Sequence, residues 1–505
     1  MAILNNLLYG LTVCLEPLNL ASCFIGALLG TLVGVLPGLG PVAAISLLLP
    51  VTFLMPTTAS LIMLAGIFYG AMYGGSTTSI LMNIPGESAS VITCLDGYQM
   101  ARKGRAGAAL GISAFGSFIA GTFGIICVML ISPPLISVAL KFGPPEYVGI
   151  ITLSLSMVVY LASRSLLKGF IMAVIGLLLG TIGVDPMAGS PRFTYGISSL
   201  LNGLNIAPVV MGLFGIPEVL ENIESAFKQE IFKTKLKGLL PSKEEWKQSA
   251  LPIGRGTVIG FFMGILPGVG SIIPTFITYS LERKLSKNPE KFGTGAIEGV
   301  AAPEAANNAA SMGGFIPLLT LGVPSNVVMA LLLGALMVHG IQPGPLLMAQ
   351  HPDVFWGLLA SMYIGNIMLL VLNLPLIPMW VQILKIPYPI LFPLILLFCM
   401  VGAYSVDNNP ADVLVLTIFG LLGYLMRKLR FEATPFVLAF ILGPMLEVAI
   451  RHSLVLSRGS LKIFVQRPIS LVLLCLACCF FLSPLFTYFM KGPKVLPRET
   501  EFNDG

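Results

Sequence analysis

The sequence predicts an all-α polytopic membrane protein, and three observations lead to this prediction. Only 10% of the 505 residues are charged and 56% are hydrophobic, whereas about a quarter of the residues in a soluble protein are charged. A short phrase containing proline and glycine occurs twice within apolar sequence. Long uncharged runs recur at 17–86, 106–140, 256–281, 305–352, 354–384 and 469–490. At about 20 residues per span, the chain accommodates roughly 10–12 crossings.

The distribution of polar and apolar segments divides the chain into four parts. We predict a first membrane repeat at 1–217, a cytoplasmic linker loop at 218–250, a second membrane repeat at 251–448, and a C-terminal loop, last span and tail at 449–505. The positive-inside rule places the basic loops in the cytoplasm. These loops contain the clusters at 102–105, 164–168, 228–247, 283–291, 427–430 and 451–467. The eight scattered cysteines indicate neither a disulfide framework nor a metal site.

The repeated phrase reads GVLPGLG at 34–40 and GILPGVG at 264–270. Proline lacks a backbone donor and glycine has a free φ, so both copies should break a helix. Such a break is tolerated within a membrane only where the backbone is buried in protein or lines a cavity. Paired breaks in two halves of a chain indicate a transporter's substrate site. We therefore expect substrate contacts from Pro37, Gly38, Gly40, Pro267, Gly268 and Gly270.

The charges around the second copy predict a re-entrant hairpin. Basic residues flank the run 256–281 on both sides, which places both of its ends in the cytoplasm. Each arm would have about 12 residues and a length near 18 Å. No Lys or Arg flanks the first copy, so its hairpin should open to the outside and the two repeats should be inverted. A kinked ordinary span is the alternative.

A second interruption follows each phrase, at 73–87 and at 312–326. In both, a glycine pair stands at the same distance before a proline. These segments and the helix between them contribute further candidate substrate contacts, namely Ser76, Thr77, Thr78, Asn83, Pro85, Gly86, Asn307, Asn308, Pro324 and Ser325. The alternative for the hydroxyl residues is a hydrogen bond to the carbonyl one helical turn earlier.

The candidate site is poor in cationic side chains. No Lys or Arg occurs in 17–86 or 305–352, so an anion would be held by helix N-terminal amides, hydroxyls and carboxamides. Glu87 and Glu304 are candidates for binding the coupling ion, Na⁺ or H⁺, because a carboxylate within a membrane is functional by default. Asp96 and Glu298 also border apolar segments, and a capping or loop role is the alternative for them. The sequence indicates no other cofactor.

Several longer phrases resemble one known family. GVLPGLG, YGGSTTSILMNIPGE, DGYQMA, EGVAAPEAANNA, LTLGVP and HGIQPGPLL are similar to the large transmembrane subunit of the tripartite tricarboxylate transporters, from about residue 18 to past 440. The resemblance implies uptake of carboxylates such as citrate across a bacterial inner membrane, driven by an ion gradient. It also implies a small membrane subunit and a periplasmic solute-binding protein as partners. Ser325 departs from the family, which usually has glycine there.

Three other functions remain as alternatives. A stand-alone cation-coupled anion transporter or exchanger would need no binding protein. An intramembrane enzyme would need a nucleophile with its base, paired aspartates or a zinc motif, and the apolar segments show none of these patterns. A passive channel would transport without an ion gradient. By analogy with other hairpin transporters, we expect an elevator-like motion.

Overall fold

The computed structural model describes residues 2–36, 40–52, 54–162, 165–224, 238–383 and 388–491. The α-helices of the first half are α1 (Ala2–Cys14), α2 (Pro17–Val35), α3 (Gly40–Thr52), α4 (Thr57–Met82), α5 (Val91–Arg102), α6 (Ala106–Ala139), α7 (Pro144–Ala162), α8 (Leu166–Leu179), α9 (Ile206–Val210) and α10 (Ile216–Glu224). Those of the second half are α11 (Lys243–Ile265), α12 (Ile272–Leu285), α13 (Glu298–Gly313), α14 (Phe315–Leu321), α15 (Val327–Val338), α16 (Leu347–Gln350), α17 (Pro352–Asn373), α18 (Ile377–Ile383), α19 (Tyr388–Asp407), α20 (Pro410–Lys428), α21 (Ala433–Leu456), α22 (Ile463–Gln466) and α23 (Pro468–Lys491).

The prediction of an all-α polytopic membrane protein is confirmed. In the described part of the chain, seven helices are long and apolar enough to cross a membrane, and further apolar helices of 10–17 residues accompany them. Among the described residues, the strands are β1 (Gly183–Val184) and β2 (Pro191–Arg192), which pair antiparallel. Short 3₁₀ helices occupy Ser88–Ser90, Ser198–Leu200 and Pro289–Lys291, and a π-helical turn occupies Met211–Gly215.

Both copies of the repeated phrase break the chain in the same way. The helix before each break, α2 or α11, ends at a leucine with extended backbone, Leu36 or Leu266. The last glycine of each phrase has a positive φ, 52° at Gly40 and 58° at Gly270, a conformation that costs other L-residues about 1–2 kcal/mol. A second helix, α3 or α12, then packs against the first. The described residues at the two ends of the phrase, Leu36 with Gly40 and Leu266 with Gly270, therefore repeat the same backbone conformations.

The arms of the second hairpin are antiparallel, and the first arm is longer than predicted. Arg255 on α11 and Glu282 on α12 lie at equal distances from the break and form two hydrogen bonds of 2.6 Å. The helix α11 has 23 residues and α12 has 14, so the estimate of about 12 residues per arm is wrong for the first arm and close for the second. It begins outside the uncharged run because Ser242 and Glu245 form a capping box at its N-terminus. The predicted linker loop is consequently helical at both ends, in α10 and α11.

Glycine stripes fix each hairpin against a neighbouring helix. In both halves, three glycines spaced four residues apart lead up to the break, and they contact α4 in the first half and α13 in the second. They are Gly26, Gly30 and Gly34 on α2, and Gly256, Gly260 and Gly264 on α11. A methyl group at any of them would lie within 2.5 Å of a backbone carbonyl oxygen on the facing helix. The backbones therefore touch, and each hairpin has a fixed position relative to its partner helix.

Helices from opposite halves also interlock. The long helix α6 of the first half packs on α13 of the second, and α17 of the second half packs on α4 of the first. These contacts between the halves bring both interrupted segments, 73–87 and 312–326, to the middle of the molecule.

The two C-terminal basic clusters lie at opposite ends of one helix. Lys168 at the start of α8 donates to the carbonyl of Leu429, whereas Arg451 near the end of α21 donates to Asp185 beyond α8. From its first residue to Arg451, the helix α21 rises by about 27 Å. The helix α21 is a candidate membrane span, and a single crossing by it would place the clusters 427–430 and 451–467 on opposite sides. That both clusters are cytoplasmic stays a prediction. The positions of the two clusters follow from the tertiary contacts of Lys168 and Arg451, which the distribution of charges along the sequence does not reveal.

Candidate functional site

All the described breaks converge on one cavity of about 760 Å³. Its volume lies within the range of small-molecule sites. Five of the predicted substrate contacts line it, namely Gly40, Pro85, Gly86, Gly268 and Gly270. Pro37 and Gly38 lie outside the described residues. Pro267 and Pro324 belong to the breaks but are not part of the cavity lining.

The second breaks have matching geometry in the two halves. Asn83 (φ 57°) and Gly322 (φ 71°) end α4 and α14 in the left-handed conformation. In each half, a residue with extended backbone then caps the next helix. Glu87 accepts a hydrogen bond from the Ala89 N–H at 2.6 Å, and Asn326 accepts one from the Met329 N–H at 3.0 Å. Both capping side chains belong to residues that line the cavity. Asn83 itself is solvent-exposed and lies outside the lining.

Asn326 is a lining residue that sequence reasoning missed. An Asn shortly after a proline and before an apolar run is a typical N-cap, and this signal would have identified it. Ser325, the departure from the family pattern, is fully buried and lies outside the cavity lining. Its carbonyl accepts a 2.8 Å hydrogen bond from the Gly268 N–H. Ser325 therefore joins the hairpin tip to the second break, and its hydroxyl accepts from the amide of the lining residue Asn326 at 3.4 Å.

The predicted hydroxyl cluster is buried behind the cavity wall. Thr78 donates to the Val35 carbonyl at 2.6 Å, which ties α4 to the break after α2. Ser76 donates to the Glu304 carboxylate, and Thr77 is buried. None of Ser76, Thr77 and Thr78 lines the cavity, so these hydroxyls support the wall and its carboxylates.

Glu304 is held by hydroxyl groups from three helices. Ser76 on α4, Thr93 on α5 and Ser113 on α6 all donate to its carboxylate, the last at 3.1 Å. The residue is 1% exposed and is absent from the cavity lining. Burial of a charged carboxylate among neutral donors costs free energy unless a bound proton or cation neutralises the charge. Carboxylates within a membrane are functional by default, so Glu304 is still a candidate for proton or cation binding.

Two adjacent asparagines of α13 lie behind the cavity wall, and one of them contacts Glu87, which lines the cavity. The Asn307 amide donates to Glu87 Oε1 at 3.1 Å, and the Asn308 amide donates to the Ser117 hydroxyl at 2.7 Å. Both asparagines are almost fully buried, and neither lines the cavity. Glu87 is the predicted coupling candidate that reaches the solute space.

An arginine lines the cavity although the broken segments contain none. Arg427 on α20 contributes to the wall, and its Nη1 lies 2.6 Å from carboxylate oxygens of both Glu218 and Glu221. The expectation that cationic side chains would be absent from the site is therefore wrong. Since Arg427 follows the broken segments by about a hundred residues, only the fold brings it to the cavity.

Asp96 has a structural role in a loop, which the sequence analysis gave as the alternative to a functional role. Its carboxylate accepts hydrogen bonds from the backbone N–H groups of Gly293, Gly295 and Ala296 and from the Tyr279 hydroxyl, at 2.7–2.9 Å. These contacts fix α5 to the loop before α13. Glu298 begins α13 and lines a separate polar cavity away from the breaks.

Comparison with known protein families identifies the family of the chain. A model of the tripartite tricarboxylate transporter TctA family matches residues 20–438. The chain belongs to this family.

Two relatives come from Agrobacterium vitis. An "Uncharacterized 52.8 kDa protein in TAR-I ttuC' 3'region" is 49% identical over 99% of this chain and 100% of its own length. An "Uncharacterized protein in TAR-II ttuC' 3'region" is 51% identical over 43% of this chain and 89% of its own length. No solved structure matches the chain. The TctA family is a transporter family, so the convergent breaks lie in a protein of that class.

Proposed function

We propose that this TctA-family protein performs ion-gradient-driven uptake of di- and tricarboxylates across a bacterial inner membrane. One observation supports this most strongly. Two hairpin tips and two second breaks, separated by more than 200 residues in the chain, line a single cavity. Broken helices from two repeats around a central site are the architecture of secondary transporters.

The wall of the cavity suits a carboxylate through its backbone. Helix α15 begins at Asn326, which lines the cavity together with Val327 and Val328. The amide groups of such a first turn, and the positive end of the helix dipole, attract anions. The hairpin tip at 268–271 also contributes main chain at a glycine-rich surface, which a ligand can approach closely.

The ionisable side chains of the wall favour coupling to a cation. Glu87, Glu218 and Glu432 line the cavity against Arg427. Without neutralisation this excess of negative charge would oppose entry of an anion. A cation or proton bound with the solute would remove that cost, so binding of each would favour the other.

We infer that the cavity opens toward the cytoplasmic side. Leu161, Glu218, Arg427 and Glu432 lie beside the linker and the basic clusters 164–168 and 427–430. The positive-inside rule assigns these clusters to the cytoplasm. We infer an inward-facing conformation, from which solute would be released into the cell.

The family context supports a three-component transporter. The small membrane subunit and a periplasmic solute-binding protein would deliver solute from the outer side. A stand-alone transporter remains the rival. It would be favoured if this chain alone catalysed uptake.

Reconstitution tests the proposal. The full chain would be placed in proteoliposomes with the small membrane subunit, and uptake of radioactive citrate, malate and succinate would be measured with and without the binding protein. We expect uptake of at least one of these acids only with the binding protein and an inward Na⁺ or H⁺ gradient. Gradient-independent equilibration would indicate a channel, and uptake without the binding protein would support the stand-alone transporter.

A further inference from the structure

We propose that Glu87 and Asn307 form a binding site for a monovalent cation of the size of Na⁺ at the wall of the cavity. Its protein ligands would be Glu87 Oε1 and Asn307 Oδ1. The role of this site in coupling depends on the proposed function, but binding of the cation does not.

The first observation is an unpartnered buried oxygen. Asn307 is 1% exposed, and its Oδ1 has no hydrogen-bond partner in the described part of the chain. Buried carboxamide oxygens are normally paired, and an isolated one calls for an explanation such as a bound ion. Because the amide Nδ2 donates to Glu87 Oε1, Oδ1 is the atom of this carboxamide that is left without a partner.

The second observation is the position of the carboxylate. Glu87 Oε1 lies 3.1 Å from Asn307 Nδ2, and Oδ1 of the same amide is within about 2.3 Å of that nitrogen. The two candidate ligand oxygens are therefore about 5.4 Å apart at most. Oxygen–metal distances near 2.4 Å are typical of hard cations, so one ion can reach both oxygens after a small rotation of either side chain. Water from the cavity would supply the other ligands.

The charge of the site selects a monovalent ion. One carboxylate and one neutral amide neutralise a single positive charge. Mg²⁺ and Ca²⁺ use more carboxylate and water oxygens, and no group of three His, Cys, Asp or Glu residues suited to a metal occurs among the described residues. Glu304 is less suitable because three hydroxyl groups already donate to its carboxylate.

The position of the site explains how cation and solute would influence each other. Glu87 lines the cavity and also caps the short helix at Ser88–Ser90 through the Ala89 N–H. A cation at Glu87 would neutralise the carboxylate that faces the solute space, so an anion would bind more tightly once the cation is present. By linkage, the solute would strengthen cation binding by the same factor.

Binding of radioactive sodium to the purified full chain in nanodiscs tests the inference without solute. Ionic strength would be kept constant with choline chloride. We expect saturable binding to the wild type and at least tenfold weaker binding to N307A. E87Q should bind as weakly, and because its amide oxygen still accepts from Ala89 N–H, it tests the site without loss of the cap.

Asn373 offers a matched control. It is also a buried asparagine with an unpartnered Oδ1, but its amide donates only to the neutral acceptors Thr31 Oγ1 and Leu369 O. N373A should keep wild-type sodium affinity. Wild-type affinity in N307A and E87Q, equal weakening in N373A, or no saturable binding to the wild type would each overturn the inference. If sodium binds as expected but reconstituted uptake fails, the site stands and the proposed function fails. Gradient-driven uptake without sodium binding would support the proposed function and overturn the site.

Discussion

Replacing Gly260 by alanine should weaken the contact that fixes the second hairpin. The new methyl carbon would lie 2.2 Å from the Ala306 carbonyl oxygen and 2.6 Å from the Ala306 Cα. Ordinary contact begins near 3.4 Å, so α11 must move by about 1 Å relative to α13. Overpacking of this kind costs about 1–3 kcal/mol, whereas alanine in a helix is favoured over glycine by about 1 kcal/mol. We expect G260A to be less stable than the wild type by up to about 2 kcal/mol.

Gly254 on the same helix provides the control. It has no neighbouring atom within 4 Å of an added methyl group, so G254A should gain the helix propensity without the clash. Apparent melting temperatures of both purified variants would be compared by differential scanning fluorimetry. G260A should melt about 1–3 °C below G254A and should transport more slowly, because the tip at Gly268–Gly270 moves with α11. Equal melting temperatures would refute the backbone contact between α11 and α13.

Three further predictions concern topology, pH and the serine after the second break. Cysteines at Leu54 and Lys287, both exposed, should react with an impermeant maleimide from opposite membrane faces in a background without exposed native cysteines, and labelling from one face would contradict inverted repeats. Hydrogen bonds from the backbone of Ala188 and its neighbour lower the pKa of Asp185 from 3.8 to about 2, so this stabilisation is full above about pH 4 and disappears as the pH falls through 2. The melting temperature of D185N should consequently fall less than that of the wild type between pH 5 and 2, and parallel curves would contradict this reasoning. S325G should change the apparent affinity for all carboxylates by a similar factor, since the side chain is buried outside the cavity, whereas a changed order of preference would show that Ser325 contacts solute.

Local features of the sequence predicted the broken helices well. The proline and glycine residues specify breaks through their own backbone chemistry, so Gly40, Gly270 and the segment around Pro85 lie where they were expected. The membrane class followed from composition alone. Helix ends were less predictable, because α11 begins in a capping box and extends beyond the uncharged run from which its length was estimated.

Long-range packing accounts for what the sequence did not reveal. Arg427 reaches the cavity from a helix about a hundred residues beyond the last break, and nothing in its own neighbourhood indicates this. Ser76 was expected to contact substrate, but α4 directs its hydroxyl to Glu304. Which hydroxyls contact solute and which hold a carboxylate depends on how α4 and α13 are packed together. A pattern along one chain does not contain that information.

The central claim is that both hairpin tips bind the same solute. Single cysteines at Val42 and Ser271, which line the cavity from the first and the second half of the chain, would be alkylated in the reconstituted transporter at increasing concentrations of a transported carboxylate. We expect the solute to protect both cysteines with the same half-saturating concentration. Protection of one cysteine alone, or of neither at concentrations that saturate uptake, would contradict the claim.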